Sequence, residues 1–403
     1  MTASTAPADP AGGSGVRAPV AGGYRPQLDA LRCFAVLGVL ITHYVQPDPF
    51  PWIFRDVDLG FLGVRLFFVL SGFLITRILL DYGDMATQRS HGRLGLIRQF
   101  YARRFLRIFP VYYLIILIAI VVNLPPARDV WPWLVTYTSN FYQALQQQDV
   151  GYFGHFWTLA VEEQFYFVWP GLVLFAPRRW LGAILALAIC LAPISRDVTF
   201  RWFGEFGWGT LPWGSLDTLG VGAMLALAYR DAPSRDALHR TLQRVILPLG
   251  LAAYLSLHAI GVAGGMRLLV AFHEIAFAMI CCWLIASAER GFGGLAGRIL
   301  ALRPVVYLGK ISYGIYAYHL FTLWLLIQLF RRVGLAFPAH GAMRFALVAP
   351  VTVAVAAASW HLFERPINQL KRYFPYSRHR IDRNPTVAAD GAPAQPATPD
   401  RVT

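Results

Sequence analysis

Span-length apolar runs recur along the chain, separated by short polar stretches. They fall at roughly 27–45, 59–80, 102–123, 155–176, 180–195, 213–229, 244–262, 267–288, 305–330 and 343–362. A bilayer core about 30 Å thick takes about 20 helical residues, so the pattern predicts an all-α, polytopic membrane bundle of about ten transmembrane helices. The stretch 129–146 contains Trp131, Trp133, Tyr137 and Tyr142. It reads as aromatic-rich chain at the outer interface rather than a further span.

The connections alternate in charge. Arginines crowd the segments after the second, fourth, sixth, eighth and tenth runs, for example Arg98, Arg103, Arg104 and Arg107 after the second. The intervening connections are poorer in arginine, apart from Arg331 and Arg332 in the loop 331–342. Positive charge favours the cytoplasmic side, so both termini are expected there. Residues 1–23, rich in Ala, Gly, Pro, Ser and Thr, read as a disordered tail. Residues 24–370 read as one membrane domain, and 371–403 as a basic and then disordered tail.

Composition agrees. Of 403 residues 56% are hydrophobic and 14% charged, against roughly 25% charged in soluble domains; mean hydropathy is +0.48. The net charge of +14 lies at span ends, so membrane orientation explains it better than nucleic acid. Cys33, Cys190, Cys281 and Cys282 lie in apolar runs without a CxxC, and no disulfide framework or metal site is indicated.

Against this apolar background the ionisable residues stand out, since each is costly inside a bilayer. Arg32 and His43 are eleven residues apart in the first run. Eleven helical steps bring both to one face, about 16 Å apart along the axis. They are either an edge arginine that snorkels plus a satisfied histidine, or a functional pair. Arg65 and Ser71 lie in the second run, where Arg65 needs a carboxylate, a carbonyl or water. Arg103 and Arg107 share a helix face with Arg104 beside them. That cluster suits phosphate, although spacing alone favours plain topological anchoring. Glu162 and Glu163 lie about two turns inside the fourth run, where a carboxylate can pair with Arg65 or orient a histidine. Tyr316 and His319 fall near mid-membrane in the ninth. By depth, His43, Arg65, Glu162 and His319 belong to the middle or outer half, and Arg32 with the arginine cluster to a cationic inner mouth.

Six motifs occur in order: R-x10-H (Arg32 to His43), FFVLSGFLIT (Phe67–Thr76), RRxxRIxP (Arg103–Pro110), WTLAVEEQFY (Trp157–Tyr166), LGKISYGIYAYH (Leu308–His319) and ERP (Glu364–Pro366). In them the chain resembles acyltransferase family 3 over nearly the whole membrane region. The resemblance implies a multi-pass protein of the plasma or inner membrane, of the stand-alone form. It implies O-acyl transfer, usually of acetyl, from cytosolic acyl-CoA as co-substrate, with no bound cofactor. Acceptors would be hydroxyls of surface or exported glycans or lipid-linked sugars, sometimes small molecules such as macrolides. By the same resemblance His43, Arg32 and Glu162 are the catalytic set, and Arg103, Arg104 and Arg107 handle the donor. Arg65 stands where many members have Asp, Thr158 where Ser is common and Tyr318 where Trp is common. A histidine is the side chain whose ordinary pKa suits activation of a sugar hydroxyl. A proton-coupled transporter would also need intramembrane His, Glu and Arg, but the two halves show no internal symmetry or paired broken helices.

Overall fold

The computed structural model describes residues 24–45, 58–89, 92–264 and 266–374. The expected tails, 1–23 and the residues beyond 374, lie outside them. Among the described residues the chain is helical, without a strand. In order the helices are α1 (Pro26–Tyr44), α2 (Leu59–Arg89), α3 (Arg93–Val121), α4 (Ala127–Val135), α5 (Ser139–Gln146) and α6 (Phe156–Phe175). Then come α7 (Arg178–Thr210), α8 (Leu216–Asp231), α9 (Arg235–Thr241), α10 (Leu247–Val262), α11 (Arg267–Ala271) and α12 (His273–Arg290). The last are α13 (Gly294–Leu300), α14 (Arg303–Lys310), α15 (Ser312–Arg332), α16 (Ala342–Ser359) and α17 (Arg365–Gln369).

Seven stretches among the described residues are long and apolar enough to cross a membrane: 59–84, 93–121, 178–210, 235–261, 267–290, 312–332 and 342–373. The other three runs are also helical, as α1, α6 and α8. They are shorter, at 19, 20 and 16 residues. All three carry ionisable groups, the burden expected of helices that build a site rather than face lipid. The fifth run extends into the 33-residue α7, whose helical backbone breaks at Phe203 and at Gly204 with φ +55°. The ninth run is two helices parted at Ile311. The short α4 and α5 are below spanning length. Tyr112 and Tyr113 of α3 tie α4 down by donating to the carbonyls of Leu134 and Val135 at 2.7 and 2.9 Å.

Helix α2 is the hub, packed on α1, α6, α8 and α12. Close approach of α2 and α8 depends on glycine. A Cβ at Gly72 would overlap the carbonyl oxygen of Leu219, and one at Gly222 that of Val69. Small residues at membrane helix contacts allow this backbone proximity. Outward-facing Leu187, Leu191, Leu249, Leu255 and Leu325 stay exposed, as a lipid-facing rim requires.

Four charged residues buried in the bundle find partners in one another. Arg65 meets Glu274 through two contacts, Nε–Oε2 at 2.8 Å and Nη2–Oε1 at 3.0 Å. Glu274 also reaches Arg196 at 3.3 Å, and Arg196 pairs with Asp217 at 2.7 Å. Two guanidinia and two carboxylates, all shielded from solvent, thus neutralise one another across α2, α7, α8 and α12. The suggested Glu162–Arg65 pairing does not occur: Glu274 already takes two of Arg65's donors.

Candidate functional site

A cavity of about 730 Å³ enters the bundle between α1, α2, α3, α6, α12, α15 and the segment 360–371. Its lining runs from Arg25, Arg77 and Lys371 at the arginine-rich end to Phe67, Phe68, Thr158 and Tyr316 at the other. Arg32 lies early on α1, and Glu162 lies in the second turn of α6.

The mouth holds charges of both signs, and many cancel. Arg32 pairs with Asp29. Glu289 takes Arg77 at 2.6 Å and Arg25 at 3.6 Å. The Tyr24 hydroxyl donates to Asp29 Oδ2 at 2.6 Å, and burial together with that carboxylate pushes it up to about 12. Arg104, Arg107 and Lys310 also line the cavity and make no ion pair among the described residues. Arg104 lies 4.7 Å above the Tyr166 ring, and Arg107 is exposed to the cavity. Glu162, Glu163 and Glu364 share the cavity with them, and the cation cluster suits a polyanion entering from that side.

Arg103 is absent from the lining. Its Nη1 donates to the carbonyls of Lys371 and Phe374 at 3.1 and 2.8 Å. It thereby clamps the turn Leu370–Tyr373 against α3. The clamp aims Lys371 into the cavity. Lys371 is one of two lysines in the chain, and sequence reasoning missed it as a site residue.

Ser71 donates to Glu162 Oε1 at 2.6 Å on the cavity wall. Glu162 thus stands on the cavity wall, while the charges around His43 come from other residues. Glu163 also reaches the cavity wall.

Behind Tyr316 and Thr158 stand three histidines from three elements. His43 and His319 have ring centroids 4.8 Å apart, and His319 and His155 4.5 Å. His155 precedes α6 and was not singled out in the sequence. The next residue to His43, fully buried Tyr44, anchors the end of α1 by donating to the His319 carbonyl at 2.8 Å. Nδ1 of His43 lies 2.9 Å from the Val39 carbonyl. That acceptor places the ring hydrogen on Nδ1 and leaves Nε2 with its lone pair. Nδ1 of His319 is likewise 2.5 Å from the Tyr316 carbonyl, and its Nε2 is buried without a hydrogen-bond partner. Asp58, Asp149 and Arg344 supply the charges around His43. Burial raises the Asp149 carboxyl, partly offset by the Val150 N–H and the nearby imidazole. Among the described residues no three His, Cys, Asp or Glu side chains are placed so that they could hold a metal ion.

A family model described as an acyltransferase domain matches residues 25–361. The chain belongs to acyltransferase family 3. It is similar to the putative peptidoglycan O-acetyltransferase YrhL of Bacillus subtilis, 29% identical over 400 residues, covering 89% of this chain and 57% of the relative. It is also similar to the O-acetyltransferase OatA of Staphylococcus aureus, 29% identical over 340 residues, covering 73% and 50%. A shorter match, 34% over 167 residues, is to the peptidoglycan O-acetyltransferase OatA of Listeria monocytogenes, covering 38% and 24%. The chain thus spans about half the length of the first two relatives. No solved structure matches. The matched region contains His43, Arg32, Glu162 and the arginines of α3, together with all three histidines.

Proposed function

We propose that this protein is a membrane O-acetyltransferase that carries an acetyl group from cytosolic acyl-CoA to a hydroxyl of a cell-surface glycan, with both termini in the cytoplasm. The observation that carries the reading is the order of groups through the bundle. Cations without a close ion-pair partner stand at the arginine-rich mouth, a cavity follows, and a histidine with a free Nε2 lies beyond its far wall.

In this reading Arg104, Arg107 and Lys371 take the donor's phosphates, Arg107 as a planar fork and Lys371 as a point charge. Arg103 acts by holding Lys371. The thioester points along the cavity toward Tyr316 and Thr158. The acceptor approaches His43 from the opposite side, where Asp149 and Arg344 offer polar contacts. His43 Nε2 removes the hydroxyl proton, the oxygen attacks the thioester carbon, and the proton ends on the departing thiolate. Arg32, Asp29, Glu162 and Ser71 form the polar wall that orients the donor. The relatives' names favour peptidoglycan as the glycan, ahead of a macrolide.

Labelled acetyl-CoA supplied to membranes containing the protein tests this reading. Label is expected in the glycan fraction, in proportion to protein abundance by blot. Label that stays in acetyl-CoA with every glycan acceptor, peptidoglycan included, would contradict it.

A further inference from the structure

One cluster of hydroxyls at the boundary between cavity and histidines is unexplained by packing alone. Tyr316 lines the cavity, is 6% exposed, and has its ring 5.4 Å from His155 and 5.6 Å from His319. Its hydroxyl donates to the His155 carbonyl at 3.0 Å and lies 2.6 Å from Thr158 Oγ1. Thr158 Oγ1 donates to the same carbonyl at 2.9 Å. The Thr158 N–H reaches that carbonyl as well, at 3.3 Å, and the 2.6 Å contact between the hydroxyls takes one of their two hydrogens. A buried carbonyl left without a donor is costly, but here Thr158 still satisfies it when the Tyr316 hydroxyl leaves. The tyrosine is the one that faces the cavity.

We propose that Tyr316 donates its O–H to the carbonyl oxygen of the donor thioester as that oxygen becomes an oxyanion, while Thr158 takes over the His155 carbonyl. This rests on the acyl-transfer reading above. The acceptor oxygen forms a bond to the thioester carbon, and the carbonyl π pair moves onto oxygen, where the Tyr316 O–H meets it. Collapse restores the C=O bond and expels the sulfur with the C–S pair. The proton taken by His43 goes to that sulfur, giving the ester and the free thiol. A prearranged donor aimed at developing charge in a water-poor site acts mainly on the transition state. Phe67, with its ring 6.3 Å from that of Tyr316, keeps the site apolar around it.

The test uses wild type, Tyr316→Phe, Thr158→Val, Thr158→Ser and the Tyr316→Phe/Thr158→Val pair in membranes, with labelled acetyl-CoA and abundance by blot. Tyr316→Phe should lower kcat by about 10²–10³-fold, the scale for one lost oxyanion donor, with the KM for acetyl-CoA nearly unchanged. Thr158→Val should lower kcat by about tenfold, because Tyr316 loses its hydroxyl neighbour and its O–H stays on the His155 carbonyl. Thr158→Ser, which keeps the hydroxyl, should recover most of the turnover lost in Thr158→Val. The double variant should be no slower than Tyr316→Phe. Wild-type kcat in Tyr316→Phe overturns the proposal, as do losses that multiply in the double variant. Should Tyr316→Phe fail to accumulate, Thr158→Val decides alone: the kcat loss at constant KM supports the role, and unchanged kcat overturns it. Absence of transfer by wild type is a different failure, and removes the acyl-transfer reading itself.

Discussion

Replacing Arg107 by Gln isolates the electrostatic part of donor binding. Arg107 lines the cavity, is exposed to it, and has no carboxylate partner among the described residues. Its guanidinium is therefore free to meet a phosphate, and no internal ion pair is broken by the change. Glutamine keeps a polar side chain and removes the charge. A hydrogen bond to a charged group contributes about 1.5–3 kcal/mol. As a check, one unit charge about 6 Å away at an effective dielectric of about 20 interacts by about 3 kcal/mol. The two figures agree on about 2–3 kcal/mol, or an acyl-CoA affinity weakened about 30- to 150-fold. The assay is the acetyl-CoA dependence of transfer in membranes at two salt concentrations. The variant should show a raised donor KM, a nearly unchanged kcat at saturation, and a weaker salt dependence than wild type, since one screened contact is gone. An unchanged KM at low salt would refute the reasoning and return Arg107 to the role of a topology anchor.

Other variants probe the remaining parts. Glu274→Gln leaves Arg65 and Arg196 facing Asp217 alone in a region closed to solvent. Breaking such a buried network costs about 3–5 kcal/mol, so the melting temperature in detergent should fall sharply; an unchanged melt would mean that water or another group compensates. Gly72→Ala forces a methyl into the Leu219 carbonyl. It should reduce the accumulated protein through overpacking of about 1–3 kcal/mol, and normal abundance and melting would show that α2 and α8 separate easily. Arg103→Gln frees the turn that carries Lys371. It should raise the donor KM less than Arg107→Gln does, and an equal or larger rise would show direct contact with the donor.

Hydropathy made the helical bundle legible because lipid imposes it: each span must satisfy its backbone internally and present apolar side chains outward. What stayed hidden were pairings across long sequence separations. That Arg65 needs a carboxylate follows from its depth, but the choice of Glu274, 209 residues away, over Glu162 depends on how α12 packs against α2. That Glu162 meets Ser71 likewise depends on how α6 packs against α2. His155 carried no local signal beyond its position just before WTLAVEEQFY. Its meaning appears only when α15 brings His319 between it and His43. Lys371 looked like one more cytoplasmic charge until the Arg103 clamp aimed it inward. By contrast, the one-face placement of Arg32 and His43 needed only helical periodicity, and α1 is an unbroken helix through both.

The central claim is that His43 performs the proton transfer from the far side of the donor cavity. The most direct measurement is transfer of labelled acetyl from acetyl-CoA to glycan by His43→Ala in membranes, normalised to the amount of inserted protein. Loss of a general base costs about 10²–10⁴-fold, so kcat should fall by at least that factor while abundance and acetyl-CoA binding persist. Wild-type turnover in His43→Ala would contradict the account and leave the three histidines to a structural or transport role.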